Sequence, residues 1–568
     1  MPRDDNAPCA GRRWAAGVSV VVLLIGSLPY LFDRSLQGAS PLYGWYSWFA
    51  FNVTDNCVYL SWMRQYADGA WVQRNLFTTE PQSGHMINLF YLVLGKAAGW
   101  TGIPLIVVYH TARILAGFAF LIMVWRLAAM LIGDLRTRKI AFATAAVGSG
   151  LGWIPALWER GFAGPVDTWQ PEAVTFLSIY LFPLFTVSLA LMLGMLMGLL
   201  EAERTGVWSH ALKAGACGFV LGNIHTYDIL TVAVIWTLWV LTRALHSRRI
   251  PTRTLLAGLI TAIPTAVSTG YMLWVFRTET VFAQRVAVPT LSPAVWWVLL
   301  GFGALVPLAA IGIWAARSQD EARPSPWIGS GAAFLSVWTL ANVLAAYMPV
   351  SFQRKMLMGA HVPIALAAGV GLWTLVQRMR RPWHMPALAV ALALLSLTNL
   401  RFMLRDRGAL RHGGETVRAF MLRGERSALE WIRKNVPRDT VIQPLPWVAI
   451  APDGRSGFVD TTAACFAPGL TGNRVHAGHW GETPDFGRTM GLWSRFLMPE
   501  TPDQWRRDLL RRTGVRYLIF SQKRSETADP QTAASLQGSP VRAPTPYLRL
   551  VSEASGLDAD VFEVLDFE

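Results

Sequence analysis

Apolar residues recur over stretches long enough to cross a bilayer at about 14–32, 104–132, 139–157, 174–200, 226–245, 254–276, 294–316, 327–348, 357–377 and 385–401. A transmembrane helix needs about 20 such residues. A shorter run at 212–222 joins the set, because the charges on either side then alternate consistently, and that makes eleven crossings. The apolar stretch 86–98 is too short and runs into Gly99 and Gly102, so it predicts a half-helix or interfacial piece. A second missed span elsewhere would raise the total to thirteen. The first run comes after Arg12 and Arg13 as a signal peptide would, but no small-x-small cleavage signal succeeds it, and it is read as a retained span.

With the N-terminus in the cytoplasm, the inner loops collect Arg136, Arg138, Lys139, Arg243, Arg248, Arg249, Arg253, Arg317, Arg323, Arg378, Arg380 and Arg381. The short outer loops (158–173, 222–225, 277–293 and 349–356) hold only Arg160, Arg277, Arg285, Arg354 and Lys355. This is the positive-inside asymmetry of a multi-pass protein of the cytoplasmic (inner) membrane, and odd parity places the chain beyond residue 401 outside.

Residues 402–568 have the texture of an α/β domain. The pattern "GERSALEWIRKNVPRDTVIQPLP" predicts a helix, a break at Pro437 and a strand over 440–445; "GVRYLIFS" predicts a second buried strand. "YLRLVSE" and "ADVFEVLDF" predict a closing strand pair, and the polar 522–546 stretch predicts a surface loop. The expected organisation is a membrane domain over 1–401, with a first extracytoplasmic loop at 33–85, and an extracytoplasmic α/β domain over 402–568.

Composition sharpens this picture at two points. The net charge of +15 invites a nucleic-acid partner, but residues 1–401 hold 29 Lys/Arg against 16 Asp/Glu while 402–568 hold 22 against 20. The basicity therefore belongs to the loops that orient the spans, and nucleic acid is not needed to explain it. The four cysteines (Cys9, Cys57, Cys217 and Cys465) lack zinc-site spacing, and unpaired thiols are favoured over a Cys57–Cys465 disulfide.

In the first outer loop, Val58, Tyr59, Trp62, Met63 and Tyr66 fall at helical spacing with Arg64, Gln65 and Asp68 opposite, predicting a helix lying flat in the interface with Thr54 or Asp55 as its N-cap. Asp55 either caps that helix or is held ionised there for chemistry. Arg354 and Lys355 are adjacent in an outer loop otherwise poor in charge, which favours anion binding over snorkelling. Arg113 lies within an apolar helix, where it lines a wet cavity or braces a neighbour. His225 and Asp228 stand at cap positions of an outer turn, and His85 precedes the half-helix. In "RVHAGHWGETPDF", His476, His479, Glu482 and Asp485 suggest metal, but the Gly, Trp and Pro content predicts an irregular loop.

The motifs "DNCVYLSWMRQYADGAWVQRNLFTTEP", "HTYDILT", "SFQRKMLMGAHVP" and "TGNRVHAGHWGETPDF", in this order and within this architecture, resemble those of the GT-C superfamily of polyprenyl-phosphate-sugar-dependent glycosyltransferases. That superfamily includes the protein O-mannosyltransferases and the lipid A aminoarabinose transferases, and the likeness is to its uncharacterised bacterial members. It implies an α-helical polytopic membrane protein of about 11–13 spans that takes a sugar from a polyprenyl-phosphate donor to an extracytoplasmic acceptor, inverting the anomeric centre by in-line displacement. Asp55 takes the position of the acidic residue that serves as base or metal ligand. Many members carry a second acid beside it, where this chain has Asn56, and Glu80 is the alternative second carboxylate. A divalent cation (Mg or Mn) is left open by the resemblance, since members differ on it. Arg354, Lys355, Arg113, His85, His225 and His479 are the candidates for binding the phosphate and lipid of the donor. Two rival readings remain: a transporter or flippase, against which the chain shows no internal repeat, and a non-catalytic scaffold of envelope assembly.

Overall fold

Each of the eleven apolar runs contains helix, but several are shorter or more broken than their hydropathy implies. Six helices among the described residues are long and apolar enough to cross a membrane: Arg12–Arg34, Leu105–Leu131, Pro183–Thr205, Tyr227–Ser247, Thr252–Thr278 and the segment Gln353–Val376. Two bent pairs raise the number to eight. One pair, Val295–Phe302 and Leu305–Ala316, bends by 71°, where Gly303 adopts a positive φ of 48° that suits glycine. The other bends by 45° at Ser396, whose hydroxyl donates to the Ala393 carbonyl. The run at 139–157 is α-helical only over Leu135–Val147; beyond it the glycine-rich turn donates the Gly150 and Gly152 amides to Asp167. The structure, a computed structural model, describes residues 11–39, 43–157, 164–322, 328–412, 419–450, 456–459, 462–498, 500–521, 545–556 and 559–565. Arg160, Arg323 and all but the last two residues of the polar 522–546 stretch lie outside them.

The chain forms two compact units. The first comprises residues 1–28, 109–274 and 289–405, and the second 29–108, 275–288 and 406–568. The first is helical, and its 361–376 helix packs against the 305–322 and 135–147 helices. Small residues set their spacing, as in helix pairs that lack a hydrophobic drive from water. A Cβ added at Gly371 would lie 1.9 Å from the Leu308 carbonyl oxygen, one at Gly312 2.0 Å from that of Ala367, and one at Gly369 2.3 Å from the Ala141 Cα.

The second unit holds a five-stranded sheet. Its strands are β1 (Val441–Pro444), β2 (Arg474–Val475), β3 (Val515–Ser521), β4 (Leu548–Leu550) and β5 (Ala559–Val564), in the order β2-β1-β3-β5-β4. β2, β1 and β3 run parallel, while β5 pairs antiparallel with β3 and with β4. The predicted helix is present at Arg423–Asn435. First-loop residues are sewn into this unit: Trp45–Tyr46 pairs with Phe420–Met421, and the Val475 amide donates to the Leu76 carbonyl.

The Val53–Ala67 helix departs from its expectation. It does not lie with one face open: Val53, Thr54, Asn56, Cys57, Val58, Tyr59, Leu60, Ser61, Trp62, Met63 and Tyr66 are all buried. The Leu89–Thr101 and Thr462–Thr471 helices cover it, approaching closely through glycine. A Cβ on Gly95 would lie 2.5 Å from the Tyr66 Cβ, and one on Gly469 2.9 Å from the Leu60 Cγ. Neither Cys57 nor Cys465 is in a disulfide, and Cys465 donates to the Thr54 carbonyl.

Gly371→Ala is expected to lower the melting temperature of the detergent-purified protein, through an overpacking cost of about 1–3 kcal/mol. Gly270→Ala, whose Cβ would meet nothing within 4 Å, is expected to leave it unchanged or raise it slightly. Equal melting temperatures for Gly371→Ala and the wild type would contradict the close packing.

Candidate functional site

In the second unit the site begins with a turn. Asn52, the N-cap of the Val53–Ala67 helix, sits in the left-handed region at φ 51°, a conformation asparagine tolerates better than most residues. Its side-chain amide donates to Asp55 Oδ2 at 2.6 Å. Asp55 therefore occupies the first helical turn, where the dipole favours a carboxylate, and the N-cap position expected for Thr54 or Asp55 is held by Asn52, whose side chain makes no capping hydrogen bond to the helix amides. The Asn56 side chain is buried and donates to the carbonyls of Phe51 and Asn52 at 3.3 and 3.2 Å. An aspartate there would oppose two carbonyl oxygens, which gives a physical reason for the missing second acid.

The irregular loop predicted from "RVHAGHWGETPDF" carries His479 to Asp55. Its shape is set by Thr483, whose hydroxyl accepts from the Gly478 and His479 amides and donates to the Phe77 carbonyl. The His479 ring is buried beside Phe77 and Trp480. Its Nδ1 accepts from the amides of Gly481 and Glu482, both at 3.1 Å. A neutral imidazole accepting there carries its proton on Nε2, the atom that faces Asp55 Oδ1 at 3.4 Å. Behind it, the buried Glu482 carboxylate pairs with Arg285 at 2.8 Å, and the Arg285 guanidinium lies 5.4 Å from the Trp62 ring centre. His85 belongs to a separate contact, where the buried Glu279 carboxylate accepts from the Ser83 and His85 amides, each at 3.0 Å, and stands 3.2 Å from His85 Nδ1.

In the first unit, residues of the 164–173, 225–228, 289–293 and 349–356 segments meet. Arg354 donates its amide to Thr290 and accepts from the Gln170 side chain at its carbonyl, and its guanidinium lies 5.0 Å from the Trp169 ring centre. Lys355 Nζ stands 4.5 Å from the Tyr227 ring centre. The Tyr227 hydroxyl is 2.6 Å from His225 Nε2, and His225 Nδ1 is 2.7 Å from Asp228 Oδ2, so Asp228, His225 and Tyr227 form one polar chain. Glu172 completes the cluster. It keeps some accessible surface, yet the protein crowding its carboxyl raises its pKa, against the attraction of Arg354, Lys355 and His225.

Of the residues singled out from sequence, Asp55 comes together with His479, and Arg354 and Lys355 with His225. Arg113 is a brace: buried, it donates to the carbonyls of Ile179 and Tyr180 and to Ser27 Oγ. Glu80 makes no hydrogen bond or ion pair to Asp55 among the described residues, and its amide donates to Thr78 Oγ1. Asp55 Oδ2 accepts from Asn52, and no group of three His, Cys, Asp or Glu that could hold a metal ion is found among the described residues.

Sequence reasoning missed Glu172, whose one signal was an acid just before a span in an outer loop, and Glu279. It also missed Asp167, whose burial pushes its carboxyl up to about 7. The two glycine amides it accepts mark it as a support for the turn after the Leu135–Val147 helix. His476 is structural too, since its Nδ1 accepts from Trp493 Nε1 at 3.0 Å.

No family model and no curated protein matches the chain. Solved structures do. The archaeal oligosaccharyltransferase AglB from Archaeoglobus fulgidus, in complex with an inhibitory peptide and a dolichol-phosphate, is similar at a TM-score of 0.51 and 12% identity, over 92% of this chain and 71% of that one. ArnT from Cupriavidus metallidurans bound to undecaprenyl phosphate gives 0.52 and 14%, over 96% and 98%. Arabinofuranosyltransferase AftD from Mycobacteria gives 0.53 and 14%, over 97% and 40%. Another AglB structure is a complex with Zn and sulfate. These are GT-C glycosyltransferases, and the chain has their fold, that of a multi-pass helical membrane protein with a C-terminal sheet region.

Burial lowers the pKa of His476 to about 4, below its unfolded value near 6.5. The imidazole is neutral in the folded protein and takes a proton more readily when unfolded. Its contribution to stability is therefore present above pH 6.5 and is lost as the pH falls toward 4. His476→Gln is expected to flatten the acid limb of a plot of melting temperature against pH between these values; an unaltered limb would show that another group governs it.

Proposed function

We propose that the protein is a membrane glycosyltransferase that moves a sugar from a polyprenyl-phosphate donor to an extracytoplasmic acceptor, with inversion. The observation that carries this reading is the setting of Asp55: one carboxylate at the head of a buried helix, held by Asn52 and approached by a tautomerically fixed His479. The fold shared with AglB, ArnT and AftD supports it.

Asp55 serves as the general base. The acceptor hydroxyl oxygen forms a bond to the anomeric carbon, the bond from that carbon to the phosphate oxygen breaks, and the hydroxyl proton passes to the carboxylate. His479 keeps the carboxylate oriented, because an Nδ1 occupied by two amide donors leaves only Nε2–H to act. In the first unit, Arg354 and Lys355 bind the phosphate of the donor and neutralise the charge it gains as leaving group. His225 and Tyr227 hold Lys355 in place through the ring contact. A divalent cation carries no step of this mechanism.

Purified protein supplied with radiolabelled polyprenyl-phosphate sugars and a membrane extract tests the reading. Asp55→Asn is expected to lose transfer by about 10²–10⁴, the range for a positioned general base, while keeping the wild-type melting temperature. Equal transfer by a folded mutant removes Asp55 from the chemistry, and no turnover by the wild type on any donor returns the question to a transporter or scaffold.

The cation pair has its own readout. Arg354→Gln combined with Lys355→Gln is expected to raise KM for the donor roughly tenfold or more, the effect of about 1.4 kcal/mol of lost binding, with little change in KM for the acceptor. An unchanged donor KM would exclude phosphate binding there.

A further inference from the structure

The second unit contains a basic groove that no step above uses. It has a volume of about 520 Å³ and opens where the parallel strands begin, lined by Arg474 on β2, Arg511, Arg512 and Arg516 around the start of β3, with Asp439 and Thr79 at its wall. Four arginines and one aspartate thus line one open groove.

Two ordinary explanations cover only part of this. The Asp503–Thr513 helix ends at Arg511 and Arg512, and cations at a helix C-terminus interact favourably with its dipole; Arg512 Nε donates to the Asp508 carbonyl and Arg511 stands 3.9 Å from the Asp508 carboxylate. Arg474 and Arg516 lie on strands and serve no helix end. General basicity does not explain the cluster either, since residues 402–568 carry 22 Lys/Arg against 20 Asp/Glu and the charge bias of membrane loops does not apply to a folded domain.

We propose that this groove binds a phosphate-bearing ligand of the size of a phosphorylated mono- or disaccharide. Like charges around one cavity repel, and an anion among them turns the repulsion into attraction. Arginine does this best for phosphate, because its planar fork offers two parallel N–H donors. The volume lies in the range of small-molecule sites. The same phosphate chemistry is offered by a soluble phosphorylated saccharide and by an anionic lipid headgroup.

The test uses full-length protein carrying Arg354→Gln and Lys355→Gln, so that the proposed donor site is silent and its failure is scored separately. Inorganic pyrophosphate is titrated calorimetrically into this protein in phosphatidylcholine nanodiscs. Adding Arg474→Gln and Arg512→Gln is expected to weaken binding at least tenfold without changing the melting temperature. Adding Arg495→Gln, a cation over the Trp505 ring and outside the groove, is expected to leave binding intact. Undiminished binding in the groove variant, equal loss in the Arg495 control, or no binding at all overturns the proposal. Repeating the titration in nanodiscs containing phosphatidylglycerol identifies the source: weaker apparent binding means that lipid headgroups fill the groove, and the same affinity means that a soluble phosphate does.

Discussion

The second unit depends on the burial of the Val53–Ala67 helix. A helix held on one face can roll or slide; this one is covered by the Leu89–Thr101 and Thr462–Thr471 helices through contacts that leave no room for a Cβ at Gly95 or Gly469. The Tyr59 and Tyr91 rings stack at 5.0 Å, with Trp62 edge-on to both. Close-packed interiors transmit such constraints without slack, so the head of the helix has one position. Asp55 inherits that position, and the Asn52 turn and His479 fix its orientation.

That arrangement also shows which parts of the molecule were legible beforehand. The apolar runs, the Arg423–Asn435 helix and the strands around 441–444, 515–521, 548–550 and 559–564 arise from periodicity, which is local. The Val53–Ala67 helix is legible as a helix, while the covering of its second face is not, for the same reason. Its periodicity registers one large apolar face, while Cys57, Ser61 and Leu60 on the remaining surface are covered by partners that no local pattern announces. Hydropathy averages across Gly303 and Ser396, so each of these bent pairs reads as one straight span, and a backbone turn leaves the average untouched.

The site divides along the same line. Asp55, His479, Arg354, Lys355 and His225 were each conspicuous by residue type and place, yet nothing in their spacing joined Asp55 to His479, since that contact exists only once the first loop and the C-terminal region share one core. Asn56 looked like a departure that weakened the chemistry. Its two carbonyl partners show a side-chain donor needed for the turn that presents Asp55. Arg113 was conspicuous for its cost in an apolar helix, and its carbonyl partners offset that cost without a ligand.

Glu172 connects charge to occupancy in the first unit. Burial raises its pKa, and attraction to Arg354, Lys355 and His225 opposes the rise. A phosphate bound by Arg354 and Lys355, as proposed, adds negative charge beside the carboxyl and takes up the cations that had stabilised its ionised form. Both changes push the pKa further in the direction burial already sets. Proton uptake and phosphate binding are then linked, each favouring the other.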